Sequence, residues 1–180
     1  MPTPFRPALS LLTDYARYHR DRRNILTHLI GVPMIVFAIG VLLSHPVVQV
    51  GALSVTPAGV LCVLTGAWYL TRGHLGVGLA VTAMVTLLVA LAHQLAWSGH
   101  GSWLAWGVGL FVVGWIIQFV GHYYEGRKPA FVDDLVGLLV GPMFVALELL
   151  VPLGLLRDVQ ERIEAQAGPT HLRDLAHPAA

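Results

Sequence analysis

Charge is what this chain has least of. Only 12% of its 180 residues are Asp, Glu, Lys or Arg, half of the roughly 25% usual in soluble domains. None occurs from 24 to 71 and none from 73 to 124, so Arg72 stands alone between two apolar stretches. Each stretch has room for two spans of about 20 residues and a turn. A soluble fold would need charge on its outward helix faces, so that class is excluded. Cysteine is nearly absent too: Cys62 stands alone in an apolar run, which excludes an intrachain disulfide and reads as a small buried hydrophobe. There is no HExxH, no GxSxG and no phosphate-binding loop, nor the HxxxH and HxxHH series of membrane di-iron enzymes. Nothing in the chain points to nucleic-acid binding. A cleavable leader is not expected either, because the first apolar run begins late, at Ile25, and is long enough to anchor the chain.

What remains is an all-α, polytopic membrane bundle in a single domain, 1–156. Residues 1–23 are a basic segment in which Leu11, Leu12, Tyr15 and Tyr18 recur at helical spacing, as in a short helix lying on a membrane surface. Four spans follow, at about 25–43, 50–71, 75–97 and 103–122. In the second, Pro57 after Thr56 is where regular helix is expected to begin. A fifth apolar segment, 135–156, carries Gly141-Pro142; the proline should kink or split it, and it either crosses the bilayer or dips into it. Residues 157–180 are a polar tail, partly helical and then loose. Arg17–Arg23, Arg72 and Arg127/Lys128 fall on one side, while the turns near 45–55 and 98–102 carry no charge. The positive-inside rule puts the N-terminus in the cytoplasm, of a bacterial inner membrane or a eukaryotic endoplasmic reticulum.

That topology sorts the nine histidines. His19, His28, His74 and His122 come to the charged side. His45 and His100 lie in the opposite turns with His93 near them, and His171 and His177 lie in the tail. His19 and His28 are nine residues apart, which on one straight helix means about half a turn and ~13.5 Å. They can share a ligand only if the helix breaks between them. Asn24, directly before the apolar run, is the expected N-cap at such a break. Gln118, His122 and Glu125 are spaced i, i+4, i+7 and share a face within about 60°; Gly114 and Gly121 would let a neighbouring helix approach it. Asp133 and Glu148 add acids, and Glu148 amid apolar residues is the costlier to leave unpaired.

Neutral imidazoles suit iron, zinc or copper, and two or three of them with a carboxylate and open positions form the pattern of non-haem iron oxygenases. A single histidine near an interface is explained by hydrogen bonding between helices; three with adjacent acids favour a site. The candidates are therefore His19, His28 and His122 for metal, with Glu125, Gln118, Asn24 and Glu148 for chemistry. The competing readings are a non-enzymatic membrane protein that binds lipid or stabilises a partner, its histidines structural, and a transporter, which the Pro-interrupted segments suggest but no repeat supports. Oligomeric state is not written in the sequence.

The stretch "YH-x4-N-x3-H-x-I-G-V-P" at 18–33 resembles the first signature of the small membrane-protein family typified by the fungal 2-hydroxy fatty acid dioxygenase of phytosphingosine breakdown. "GWIIQFVGH" with "E-x-R-K-P-A-x-x-D", at 114–133, resembles its second, and "GPMFVALE" at 141–148 its third. Here one residue fewer separates His122 from Glu125 than in the fungal pattern, so His122 is the firmer anchor. The resemblance implies iron(II)-dependent α-oxidation, in which a long-chain 2-hydroxy fatty acid loses one carbon to dioxygen inside the bilayer. It implies His19, His28 and His122 as the Fe2+ ligands; Arg127 or Lys128 is placed either to steer the substrate carboxylate or, equally, to anchor the cytoplasmic side. His74 and His93 fall outside the signatures and inherit no role.

Overall fold

The computed structural model describes residues 5–129 and 135–175; Asp133 and His177 lie outside them. The described elements are α1 (Ala8–Ala16), α2 (Arg22–Ser44), β1 (Val48–Val50), β2 (Leu53–Val55), α3 (Pro57–Leu70), α4 (Leu75–Trp97), α5 (Trp103–Glu125), α6 (Gly137–Leu150) and α7 (Arg157–Ala167). The architecture is mostly helical, as expected, with one small exception. Residues 48–55, placed by sequence at the entrance of the second span, form an exposed antiparallel hairpin in which Val48 faces Val55.

Among the described residues, α2, α4 and α5 are long and apolar enough to cross a membrane. Each has 23 residues, or about 34 Å at 1.5 Å per residue, against a hydrocarbon core of about 30 Å. No more than 33% of each span is buried by the rest of the chain. The outward faces are apolar (Leu79, Leu87, Ile116 and Phe119 are all exposed), as suits helices associated with a membrane. The second segment is shorter than its hydropathy indicates. The side chain of Thr56 accepts the Gly59 N–H at 3.1 Å and Pro57 opens α3, as the cap residues require. At 14 residues, α3 reaches only about 21 Å.

Two expectations about the charged end are corrected. The N-cap of α2 is Asp21, whose carboxylate accepts the Arg23 N–H at 2.8 Å; Asn24 lies inside the first turn. And the apolar face of α1 is not left for lipid, because other helices pack on it. Leu11, Leu12 and Ala16 are at most 2% exposed, because α6 and α7 cover them with Phe144, Leu147, Val159 and Ile163. The fifth segment also differs: α6 runs unsplit through Pro142. Pro142 lies past the first turn of α6, so it forfeits the bond to Leu138 O, and the helix continues across that gap. The sharp break comes later, at Gly154–Leu156, where both residues have positive φ and the chain bends by 118° into α7. The tail is not loose after α7 either: residues 168–173 run back alongside the start of α2.

The tightest helix pair is α2 with α5. A Cβ on Gly121 would collide with Thr27 and Asn24, and one on Gly114 would come within 2.7 Å of Ile35. Both glycines therefore do what their sequence positions suggest, and they bring the polar stripe of α5 against the start of α2.

Candidate metal centre

The break between α1 and α2 is what joins the two N-terminal histidines. α1 ends at Ala16, and residues 17–21 turn the chain so that His19 folds back onto α1. Its ring stacks on Tyr15, with centroids 4.0 Å apart and planes at 9°. The Nδ1–H of His19 donates to Tyr15 O at 2.7 Å. The Nδ1–H of His28, one turn and a half into α2, donates to Asn24 O at 2.8 Å. A carbonyl oxygen only accepts, so both Nδ1 atoms carry the proton and both Nε2 atoms present bare lone pairs. Those two Nε2 atoms lie 3.0 Å apart. From α5, the His122 ring sits 5.1 Å from each of the other two, centroid to centroid. All three rings are buried, and one ring nitrogen from each falls within a common 4.8 Å.

Two facing lone pairs repel each other, and a cation between them would relieve that repulsion. A shared proton is disfavoured, since burial first, and then the neighbouring His28, hold His19 well below the ordinary imidazole value. A metal ion fits better. Nitrogens at about 2.1 Å from a common centre and about 90° apart are about 3.0 Å from one another, the separation of adjacent ligands. His122 Nδ1 is buried with no hydrogen-bond partner among the described residues. The hydrogen bonds from Nδ1 to backbone are the usual means of fixing ring and tautomer for ligation. The residues present thus fit a three-histidine metal site.

The remaining predicted residues fall into three groups. Gln118 and Glu125 share the buried face of α5 with His122, while Phe119 and Tyr123 between them are exposed. Glu125 points at the loop rather than at the imidazoles. Its carboxylate accepts the Arg20 N–H at 3.0 and 3.1 Å, the Asp21 N–H at 2.9 Å and the Asn24 amide at 3.0 Å, an anion at the N-terminus of α2. Asn24 also donates to Tyr18 O. Gln118 Nε2 is buried without a partner. Glu148 is not in the triad; it interacts across the core with Arg20. Arg127 and Lys128 are exposed, and Arg127 donates to Arg17 O. His74 caps α4 by accepting the Val77 N–H, and His45 is stacked between Trp97 and Trp103.

A cavity of about 240 Å3 opens from the histidines. Tyr15, His28, Gln118 and His122 form its polar head. Val32, Ile35 and Ile39 of α2 and Phe111 and Trp115 of α5 form its apolar walls, with Gly141 and Pro142 of α6 closing one side. The site is therefore a cluster of three histidines, able to hold a metal ion, at the head of an apolar slot.

Three contributors were not singled out by sequence. Tyr15 was visible only as an apolar position, though its i, i+4 spacing to His19 is readable; burial pushes its hydroxyl pKa up. Arg20, 5% exposed, places Nε on Ala16 O and His19 O and Nη1 on Gly168 O. Burial lowers its pKa, and Glu148, Glu164 and Glu125 oppose that. Asp21 is fully enclosed: burial works to raise its pKa, but the Arg23 side chain and the Arg173 and Arg23 N–H groups bring it down to about 2.

The Mpo1-like family, described as "2-hydroxy-palmitic acid dioxygenase Mpo1-like", matches residues 5–153. The chain is 36% identical over 159 residues, 86% of either chain, to the 2-hydroxy-palmitic acid dioxygenase MPO1 of Saccharomyces cerevisiae. No solved structure matches it. With most of its length covered by the family match, this chain belongs to the Mpo1-like family.

Proposed function

We propose that the protein is an iron(II)-dependent dioxygenase of the membrane that shortens long-chain 2-hydroxy fatty acids by one carbon, its N-terminus cytoplasmic. The observation that carries the reading is the convergence of His19, His28 and His122 at the head of an apolar slot, in a chain similar to a protein named as a 2-hydroxy-palmitic acid dioxygenase. Iron(II), bound by the three histidines, would supply a redox-active Lewis acid that binds the hydroxyl and carboxylate oxygens of the substrate and activates dioxygen. Overall the reaction balances without a further reductant: 2-hydroxy acid and dioxygen give the acid one carbon shorter, carbon dioxide and water.

The chain's own residues do the positioning. The Nδ1–H bonds of His19 and His28 aim both Nε2 atoms at one point. Gln118 Nε2, lacking a partner at the cavity head, offers an N–H to a substrate oxygen. The apolar walls hold the acyl chain and keep bulk water from the reacting end. Glu125 fixes the loop that carries His19 against α5.

Metal analysis of detergent-purified protein should find iron, and 2-hydroxyhexadecanoate should be converted to the acid one carbon shorter. His122→Ala should lose both. Normal turnover in that variant, or in metal-stripped protein, would sink the mechanism.

A further inference from the structure

The family match ends at residue 153, yet the segment beyond α7 is bonded directly to the metal-centre loop. Gly168 O accepts Arg20 Nη1 at 2.8 Å. His171 forms a parallel bridge with Asp21: its N–H donates to Arg20 O at 2.9 Å, and its carbonyl accepts the Arg22 N–H at 3.0 Å. The Arg173 N–H donates to Asp21 Oδ2 at 2.8 Å, and Arg173 O accepts Arg23 Nη2 at 2.8 Å. These bonds close on residues 20–23, next to His19, the one triad member that no helix holds in place. Glu125 takes the Arg20 and Asp21 N–H groups from one side; the returning segment takes Arg20 O, the Arg22 N–H and the Asp21 carboxylate from the other.

We propose that Gly168–Arg173 is a positioning strap for the metal centre, holding the 17–21 turn so that His19 Nε2 stays in register with His28 and His122. The proposal rests on the metal-centre reading. The strap works through backbone groups, so its side chains are dispensable while its N–H groups are not. Partners of this outer kind change metal affinity by about tenfold to a hundredfold.

The test uses the full chain in detergent, with Fe2+ affinity read by chelator competition and folding by far-UV circular dichroism. His171→Pro and Arg173→Pro each remove one strap N–H and should weaken Fe2+ binding about tenfold or more with helix content retained. His171→Ala keeps the N–H and should bind as the native chain does. A second measurement needs no variant. Coupling between sites is reciprocal, so Fe2+ must slow hydrogen exchange at the His171 and Arg173 amides of the native protein. Native affinity in the folded proline variants, or exchange at those amides indifferent to Fe2+, overturns the strap. A native chain that binds no Fe2+ overturns the metal-centre reading itself, and the strap with it.

Discussion

Replacing Glu125 by glutamine separates positioning from chemistry at this centre. The native carboxylate meets three buried donors, two of them backbone N–H groups. Glutamine keeps one acceptor oxygen and sets an NH2 where the other was, so at least one donor faces another donor. A buried donor left unmet costs about 1–3 kcal/mol. Glu125 borders the polar cleft shared with Arg17, Arg20 and Arg173, so water can reach part of the group and the low end applies. That gives about 1–2 kcal/mol for Glu125→Gln and about 3 kcal/mol for Glu125→Ala, which abandons all three donors. At roughly 2–4 °C per kcal/mol for a chain of this size, the midpoints fall by about 2–8 °C and 6–12 °C. The assay is thermal unfolding of the metal-free protein in detergent, run beside Fe2+ affinity, which should weaken in the same order. A glutamine variant with native midpoint and native affinity but no turnover would refute the reasoning, and would make the carboxylate a group that acts on substrate.

From His28 to Ile39 on α2 the slot extends about 16 Å, and Phe111 lies the same number of residues from His122 on the antiparallel α5. Ile39→Trp should therefore shift preference toward shorter 2-hydroxy acids in a competition across chain lengths while leaving Fe2+ affinity native; an unchanged preference would place the acyl chain elsewhere. At the opposite end, His45 lies 4.8 Å from the Trp97 ring and 4.5 Å from the Trp103 ring, nearly parallel to both. His45→Ala should cost about 1–3 kcal/mol in unfolding stability with Fe2+ binding untouched, and a native midpoint would show that the stack contributes nothing.

Much of the scaffold was legible because hydropathy and cap chemistry are local. Span 75–97 coincides with α4, Thr56-Pro57 marks the start of α3, and the Gln118–His122–Glu125 stripe is buried on one face. The misplaced cap of α2 has a physical reason. Hydropathy marks where lipid begins, and Asn24 stands at that border. The helix starts three residues earlier because Asp21 and Arg23 pair with each other at the charged end. The covering of α1 was illegible for another reason: an amphipathic pattern shows that one face is covered, not whether α6, α7 or lipid covers it. The turn of the tail onto residues 20–23 is made largely through peptide groups, which every sequence possesses.

The break that unites His19 and His28 also explains why so many charges crowd a buried end. Interrupting a helix strands carbonyls on one side and N–H groups on the other, and a buried break must satisfy both. Here Arg20 Nε answers Ala16 O, Glu125 answers the Arg20 and Asp21 N–H groups, and Asp21 answers the Arg23 N–H. The tail answers the Arg22 N–H and Arg20 O. Three of the ionic residues that composition would assign to a reaction, or to membrane orientation, are thus engaged in closing the gap in the helix. The imidazoles are the exception. The Nδ1 atoms of His19 and His28 serve the backbone, but their Nε2 atoms point at each other and satisfy nothing else among the described residues. With His122 Nδ1 and Gln118 Nε2, which also lack partners among the described residues, those two lone pairs are the groups left for a ligand, whereas the carboxylates of Asp21 and Glu125 beside them are already engaged.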